Sequence, residues 1–483
     1  MNVSSRLRFA PSPRAQGAIV RHPACVVVAA LLSAFMGPDL PLRAQEAPPP
    51  STSARAPISL IEARAAAYSA DASIRAAREG LNAASARERQ SLARPNPTLA
   101  YGREQTSRAG QANAQDIAQF EWPLEIAGQR AARADAARFR RQAAEARLTA
   151  TTQSLDAQVV RAYIEAASAQ HRAGIADVAA RTAAEAQRVS DERLRAGDIA
   201  GYAARRLRLE SARYAARRAE AAAAARSARE QLALLMARSV DAVVIPMAVT
   251  TDSSGSAFSA LLHGVLPSVT LPVALTLTDT VPSAARDSLM VNAVSARPEL
   301  LVAKLEAQAV AADARLAARE RLPVPAISAG YKGEHVRNDA TSPSRALSGF
   351  VAGVSIPLPL FDRRAGALAA ANATARQASA ATDVTQRLLA REIADAAGSL
   401  RAAEEMRALL LPYVGDEARV ALRAVQAAYA DGEITLAEWL DAVRAWQETE
   451  LALLTLDTDI ALRRVALARA LGFPLFPVSD PVR

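Results

Sequence analysis

Two kinds of hydrophobic periodicity alternate along this chain. From Leu60 to Leu92 and again from Arg297 the apolar positions follow a helical period, ended by "RPNP" in the first case and "PVP" in the second. Each of these helices is followed by a pair of segments with a two-residue period. In the first pair Leu99 and Tyr101 share one side, as do Ala118, Phe120, Trp122 and Leu124, with Gln119 and Glu121 opposite. In the second, "AISAGYKGE" precedes "GFVAGVSIPLPL", where Phe350, Ala352, Val354, Ile356 and Leu358 alternate with Val351, Gly353, Ser355 and Pro357. Both pairs predict a β-hairpin around a polar loop, with one apolar face. A soluble hairpin packed on helices would show the same alternation.

Long helical stretches come next. Gly128 to Gly197 carries no proline, and Asp362 to Gly432 is interrupted only by Pro412; at ~1.5 Å per residue each spans roughly 100 Å. Return helices extend to about Ala237 and Leu471. Leu389, Ile393, Ala396, Leu400 and Ala403 have the 4-3-4-3 spacing of coiled-coil packing. Pro123 pairs with Pro357 and Arg130 with Arg364 at one constant offset, so the chain reads as a tandem duplication of helix, hairpin and long helical hairpin.

The duplication constrains what the strands can do. If their apolar faces meet lipid, every backbone group must be paired, and an open four-stranded sheet cannot satisfy its edges in a bilayer. Bacterial barrels begin at eight strands. Three chains would supply twelve. The expected fold class is therefore mainly α with a small membrane β part: long helical hairpins forming an α-barrel, plus four strands per chain in a trimeric twelve-stranded β-barrel.

Composition and charge refine this picture. Ala and Arg dominate and aromatics are only 4% of residues, which favours close-packed helices over a thick aromatic core. Arg6, Arg8, Arg14 and Arg21 precede the apolar run "ACVVVAALLSAF", and "LRAQEA" offers a cleavage point after Ala44, so residues 1–44 read as a secretory signal peptide. An uncleaved anchor is the alternative, but a spanning helix needs about 20 apolar residues. The single cysteine, Cys25, lies in that segment, leaving no thiol for a disulfide or a thiolate metal site. Removing it also takes five Arg and one Asp, leaving 53 basic against 48 acidic residues and weakening any nucleic-acid reading. The remaining organisation is a Pro-rich spacer at 45–57, a first repeat at 58–237, a linker at 238–292 rich in Pro, Gly, Ser and β-branched residues, a second repeat at 293–472 and a tail at 473–483.

Catalytic chemistry is hard to find. His22, His171, His263 and His335 are widely separated, no HExxH occurs, and no Gly-rich phosphate loop precedes a helix. A hydrolase would need a nucleophile and base arrangement that the sequence does not offer, so no enzyme, cofactor or metal site is expected.

The ordered motifs "RPNPTL", "QFEWPLEIAGQRAAR", "AGDIAGY", "VSIPLPLFDRRAGALAAA" and "DGEITLAEWLDAVRAWQETE" resemble the TolC-like outer-membrane efflux proteins over about residues 58–472. The coupling of "RPNPTL" to "PLEIAGQRAAR" is most similar to the cobalt-zinc-cadmium (CzcC-like) branch. The resemblance implies a homotrimeric outer-membrane duct with a periplasmic helical tunnel. Its implied partners are a periplasmic adaptor and an inner-membrane pump of the resistance-nodulation-division type; cargo would be divalent heavy-metal cations or, alternatively, drugs and other small molecules. It also implies that the tip turns dock the adaptor, which singles out Gly197, Asp198, Ile199, Gly432, Glu433 and Ile434. Glu438 and Asp441 would line the constriction, with Glu where the best-known member carries Asp; two solvated acidic residues on an exposed helix are the plainer reading. Gln119, Glu121, Ser328 and Lys332 would face the barrel lumen if Phe120, Trp122, Ile327 and Tyr331 face lipid. The rival architecture is a periplasmic coiled-coil adaptor, which would have one helical hairpin and lipoyl-like β segments in place of two repeats.

Overall fold

The computed structural model describes residues 57–475 except 109–110, 246–282, 338–340, 342 and 411–416. The expected signal peptide, most of the spacer and much of the linker lie outside the described residues. Each repeat opens with a helical elbow. The first comprises α1 (Leu60–Ala70) and α2 (Ala72–Ser91), where a single helix was expected. Asp71 interrupts it: its backbone is extended (φ −67°, ψ 123°) and its carboxylate accepts the Ile74 N–H at 2.9 Å, starting a new helix. Ser59 and Glu62 form a reciprocal capping box at the start of α1.

The second elbow joins α5 (Ser283–Ala296) to α6 (Pro298–Arg319) through Arg297, again extended (φ −69°, ψ 126°). Pro298 at the first helical position disfavours a helical backbone at the residue before it. Helix α5 starts inside the segment expected to be a linker of broken pattern, so residues 283–292 belong to the helical architecture. Its alternating small and apolar residues support a helix once it packs against α6 and α7, a tertiary contact with no local signal.

The long elements are α3 (Gln129–Ala196, 68 residues) and α4 (Gly201–Leu235), followed in the second repeat by α7 (Ala365–Leu410), α8 (Glu417–Asp431) and α9 (Leu436–Ala470). Helix α3 is the common wall: it packs against α2 and α6 along one part of its length and against α4 and α9 along another. Most of its buried positions are alanine, including Ala132, Ala136, Ala143, Ala179 and Ala183, so neighbouring backbones can approach closely. In α7 the buried stripe is Leu389, Ile393, Ala397, Leu400 and Ala403, with Ala396 only half-buried, so the strict 4-3-4-3 pattern gives way to 4-4-3-3. A straight helix turns 100° per residue and drifts off a 3.5-residue repeat, which moves the seam by one position.

Arg364 and Arg130 do not occupy equivalent places. Gly128 (φ +80°) stands immediately before α3 and accepts from the Ala132 N–H; Arg364 (φ +50°) does so before α7, accepting from Leu368. The second repeat therefore spends two more residues between its proline and its long helix. An Asp362 carboxylate bonded to the Arg364 N–H at 2.7 Å holds the unusual backbone there.

Strands β1 (Thr98–Arg108), β2 (Gln111–Pro123), β3 (Ala326–Arg337) and β4 (Arg345–Ser355) form one antiparallel sheet in chain order. The stretches expected to be polar loops are largely strand, because ladder pairing continues as far as Arg108↔Gln111 and Val336↔Arg345 after the apolar alternation has ended. Strands β1 and β4 are the sheet's two edges.

Candidate functional site: a two-faced sheet and a paired helical tip

Register sorts the sheet's side chains into two faces, since directly paired residues share a side. One face stacks the rows Trp122–Ile327–Val354, Leu99–Phe120–Ala329–Ala352 and Tyr101–Ala118–Tyr331–Phe350. Further from the helices the same face turns polar, with Arg103, Asp116 and Ser348 in one row and Gln105 and His335 in the next. The apolar rows are open: Phe350 is 91% exposed and Leu99 78%. No described helix lays a face on the sheet. A hairpin packed on its own helices, the alternative left open by the alternation, would have buried these side chains.

Gln119, Glu121, Ser328 and Lys332 all lie on the opposite face. Glu121 pairs with Ser328 in register, Ser355 Oγ donates to Glu121 at 3.4 Å, and Lys332 bridges Glu334 at 3.3 Å. Asn113 donates to the same Glu334 at 2.9 Å. Glycines 102, 330, 349 and 353 also fall on this side. A Cβ on Gly330 would sit 2.6 Å from the Ala118 carbonyl oxygen, so strand crowding on this face requires glycine. In β3 this face is also the less exposed one, as expected of the concave side of a curled sheet.

At the far end of the helical region the two tip turns repeat one geometry. Gly197 (φ +85°) and Gly432 (φ +81°) take the left-handed conformation, and the N–H of the next residue bonds five residues back: Asp198 to Arg193 at 2.9 Å, Glu433 to Ala428 at 2.8 Å. The turns lie together, because Arg193 donates to the Tyr429 carbonyl at 3.5 Å and its guanidinium would meet a Cβ on Gly432 at 3.0 Å. Gly197, Asp198, Gly432 and Glu433 are exposed, whereas Ile199 and Ile434 are half-buried. Ile434 packs on the main core, anchoring the turn as well as presenting it.

Glu438 has a local partner that the spacing argument missed. Thr435 and Glu438 form a capping box at the start of α9: the Thr435 N–H donates to the carboxylate at 2.7 Å, its hydroxyl at 2.8 Å, and the Glu438 N–H donates back at 3.3 Å. The T-x-x-E pattern in "ITLAEW" is the signal that could have found it. These bonds, the backbone one first, hold the Glu438 carboxyl below its ordinary pKa. The sign follows: the cap contributes above the ordinary glutamate range and is lost only as pH falls through the lowered value. Asp441 is freer, with its carboxylate 79% exposed and Arg444 3.7 Å away. At the first tip the places of Glu438 and Asp441 are taken by Ala203 and Arg206, so this acidic pair belongs to one tip alone. Among the described residues no group of three or more His, Cys, Asp or Glu side chains is arranged to hold a metal ion.

The sequence profile described as outer membrane efflux protein matches residues 289–473. The cobalt-zinc-cadmium resistance protein CzcC of Cupriavidus metallidurans is 26% identical over 394 residues, spanning 81% of this chain and 84% of the relative. The profile match thus covers the second repeat, and the similarity to the relative extends over most of both chains. Solved structures similar to this chain include CusC (TM-score 0.66, 19% identity, 86% of this chain and 93% of that one). The outer-membrane channel OprN has TM-score 0.64 at 20% identity, covering 91% of this chain and 99% of its own. VceC of Vibrio cholerae has TM-score 0.64 at 18% identity, with 86% and 97% covered. These likenesses show for this chain the fold of channels that have α-barrel and β-barrel parts. Members of the family that this profile describes work as trimeric channels with periplasmic adaptors and inner-membrane pumps.

Proposed function

We propose that three copies close a twelve-stranded barrel and export divalent heavy-metal cations delivered by a resistance-nodulation-division pump through its adaptor. The observation that carries the architectural part is a four-stranded sheet with two unpaired edges and an open apolar face. Pairing β4 of one copy with β1 of the next satisfies both edges and leaves the apolar rows toward lipid, with Gln119, Glu121, Ser328 and Lys332 lining the lumen. The cargo rests on similarity to the cobalt-zinc-cadmium resistance protein along most of both chains. Deletion of the gene is expected to sensitise cells selectively to zinc, cobalt or cadmium in growth assays. Sensitivity to a drug panel without metal sensitivity would instead favour a duct for organic small molecules.

The adaptor would dock on the paired tips through Gly197, Asp198, Ile199, Gly432, Glu433 and Ile434. Three copies of Asp441, with Glu438 beside it, would place a ring of carboxylates near the constriction and favour cations. Glu438→Gln retains a capping-box side chain while removing the charge, so the double variant with Asp441→Asn tests electrostatics without uncapping α9. Its cation preference in planar-bilayer conductance is expected to fall. An unaltered reversal potential under a salt gradient would exclude both carboxylates from selectivity.

A further inference from the structure

A cavity of about 600 Å³ opens where α6 ends and the β4–α7 connection passes, lined by Arg315, Ala318, Arg319, Arg321, Leu322, Pro359 and Arg363. Among the described residues none of its four arginines has a carboxylate ion-pair partner. Of the nearby acids, Glu320 bridges Arg364 at 2.8 Å, and Asp362 accepts from the Arg364 backbone N–H. Arg321 donates its Nε to the Arg363 carbonyl at 3.2 Å, tying the two sides of the cavity together. Four exposed arginines thus line one opening, and their planar guanidinium forks match the oxygens of a phosphoryl group.

The surroundings select the kind of phosphate. Directly beside the arginines the β4–α7 connection exposes Leu358, Leu360 and Phe361, the last fully, and Ile356 and Val354 continue this apolar strip onto the sheet's open face. A free anion would have no use for that strip. We propose that the cavity is a binding site for the headgroup of an anionic phospholipid, its phosphodiester among Arg315, Arg319 and Arg363 and its acyl chains along Leu358, Leu360 and Phe361. This rests on the reading that the sheet's apolar face meets lipid. The cavity lies at the helix-proximal end of that face, where a barrel's apolar band meets water and where basic side chains attract anionic headgroups. The lipid would brace the junction between strand and long helix, the connection that runs two residues longer in the second repeat.

The test uses the full-length protein floated with vesicles of phosphatidylcholine alone or mixed with phosphatidylglycerol. Lipid retained after detergent extraction is then quantified by mass spectrometry. At about five-fold in affinity per basic residue, the Arg315→Gln, Arg319→Gln, Arg363→Gln variant should bind phosphatidylglycerol roughly a hundred-fold more weakly. The corresponding triple lysine variant should retain most of the binding, and Arg205→Gln, Arg206→Gln, Arg217→Gln on α4 should bind as the parent does. Equal loss in the α4 variant would mean that net charge alone is responsible and would overturn the site. Full displacement of the lipid by inorganic phosphate would overturn the lipid assignment in favour of a free anion. Flotation with both vesicle types but no retained phosphatidylglycerol would refute this inference alone; failure to float with either would refute the membrane reading beneath it.

Discussion

Trp439→Ala is expected to destabilise the helical region by about 3–5 kcal/mol, the range for removing a fully buried large aromatic side chain. Trp439 is 1% exposed, stands one residue after Glu438, and packs its ring 5.6 Å from that of Tyr429. Leu440 and Val443 lie buried beside it on α9. Because Tyr429 is also the residue whose carbonyl accepts from Arg193, the cavity left by the alanine would loosen the contact that holds the two tips together. The consequence should be local as well as global: faster amide exchange across residues 428–436 and a lower midpoint in thermal melting followed by circular dichroism. Trp439→Phe, which keeps much of the apolar area, should recover most of both. A melting midpoint within a degree of the parent would show that the tip does not depend on this core.

The second large effect is expected at Arg297, whose side chain is only 3% exposed. It donates to both oxygens of Glu299, at 2.9 and 3.0 Å, and to Glu392 on α7 at 3.4 Å. Its Nη1 donates to the Arg469 carbonyl in the last turn of α9 at 2.7 Å. One guanidinium thus joins the α5–α6 elbow to α7 and closes the end of α9. Glu299 and Glu392 are 36% and 44% exposed, so water can replace the guanidinium there, and Arg297→Ala should cost about 1–3 kcal/mol, mainly through the Arg469 carbonyl left without its donor and the packing lost. Arg297→Lys retains the charge but not the fork, so it should lie between alanine and the parent. Thermal melting followed by circular dichroism reads the difference: a lysine variant equal to the parent above a weakened alanine variant would assign the role to packing by the side-chain stem, and identical values for all three would remove Arg297 from the stability of this junction.

The two elbows show where sequence reading reached its limit. The pattern from Leu60 to Leu92 is helical throughout, and nothing in its apolar spacing marks Asp71 as a break. A capping aspartate inside a helix looks the same as a surface aspartate until the axis is seen to bend. At Arg297 the following proline did announce a helix start, but the preceding α5 carries too weak a periodicity to separate from a connection. Likewise the acidic spacing and the local T-x-x-E pattern both describe Glu438, and only the folded turn shows its carboxylate bonded to Thr435.

The sheet was legible because a period of two survives any tertiary context: each strand's apolar side was written in the chain, and so were the glycines that end the long helices, since positive φ is cheap only without a Cβ. Register was not. Which residue of β2 faces which residue of β3, about 200 positions later, depends on hydrogen bonds between distant segments, and only those decide that Glu121 stands opposite Ser328 and Gln119 opposite Gly330. The arginine cavity is a stronger case. Arg315 and Arg319 on α6 and Arg363 on the β4–α7 connection look like ordinary surface charges, and the three share one opening only when the turn after α6 folds against that connection. Sequence alone determined the elements and their duplication, because those follow from local period and backbone freedom; tertiary structure decided which charges share a space, because electrostatic energy depends on distance through space and not along the chain.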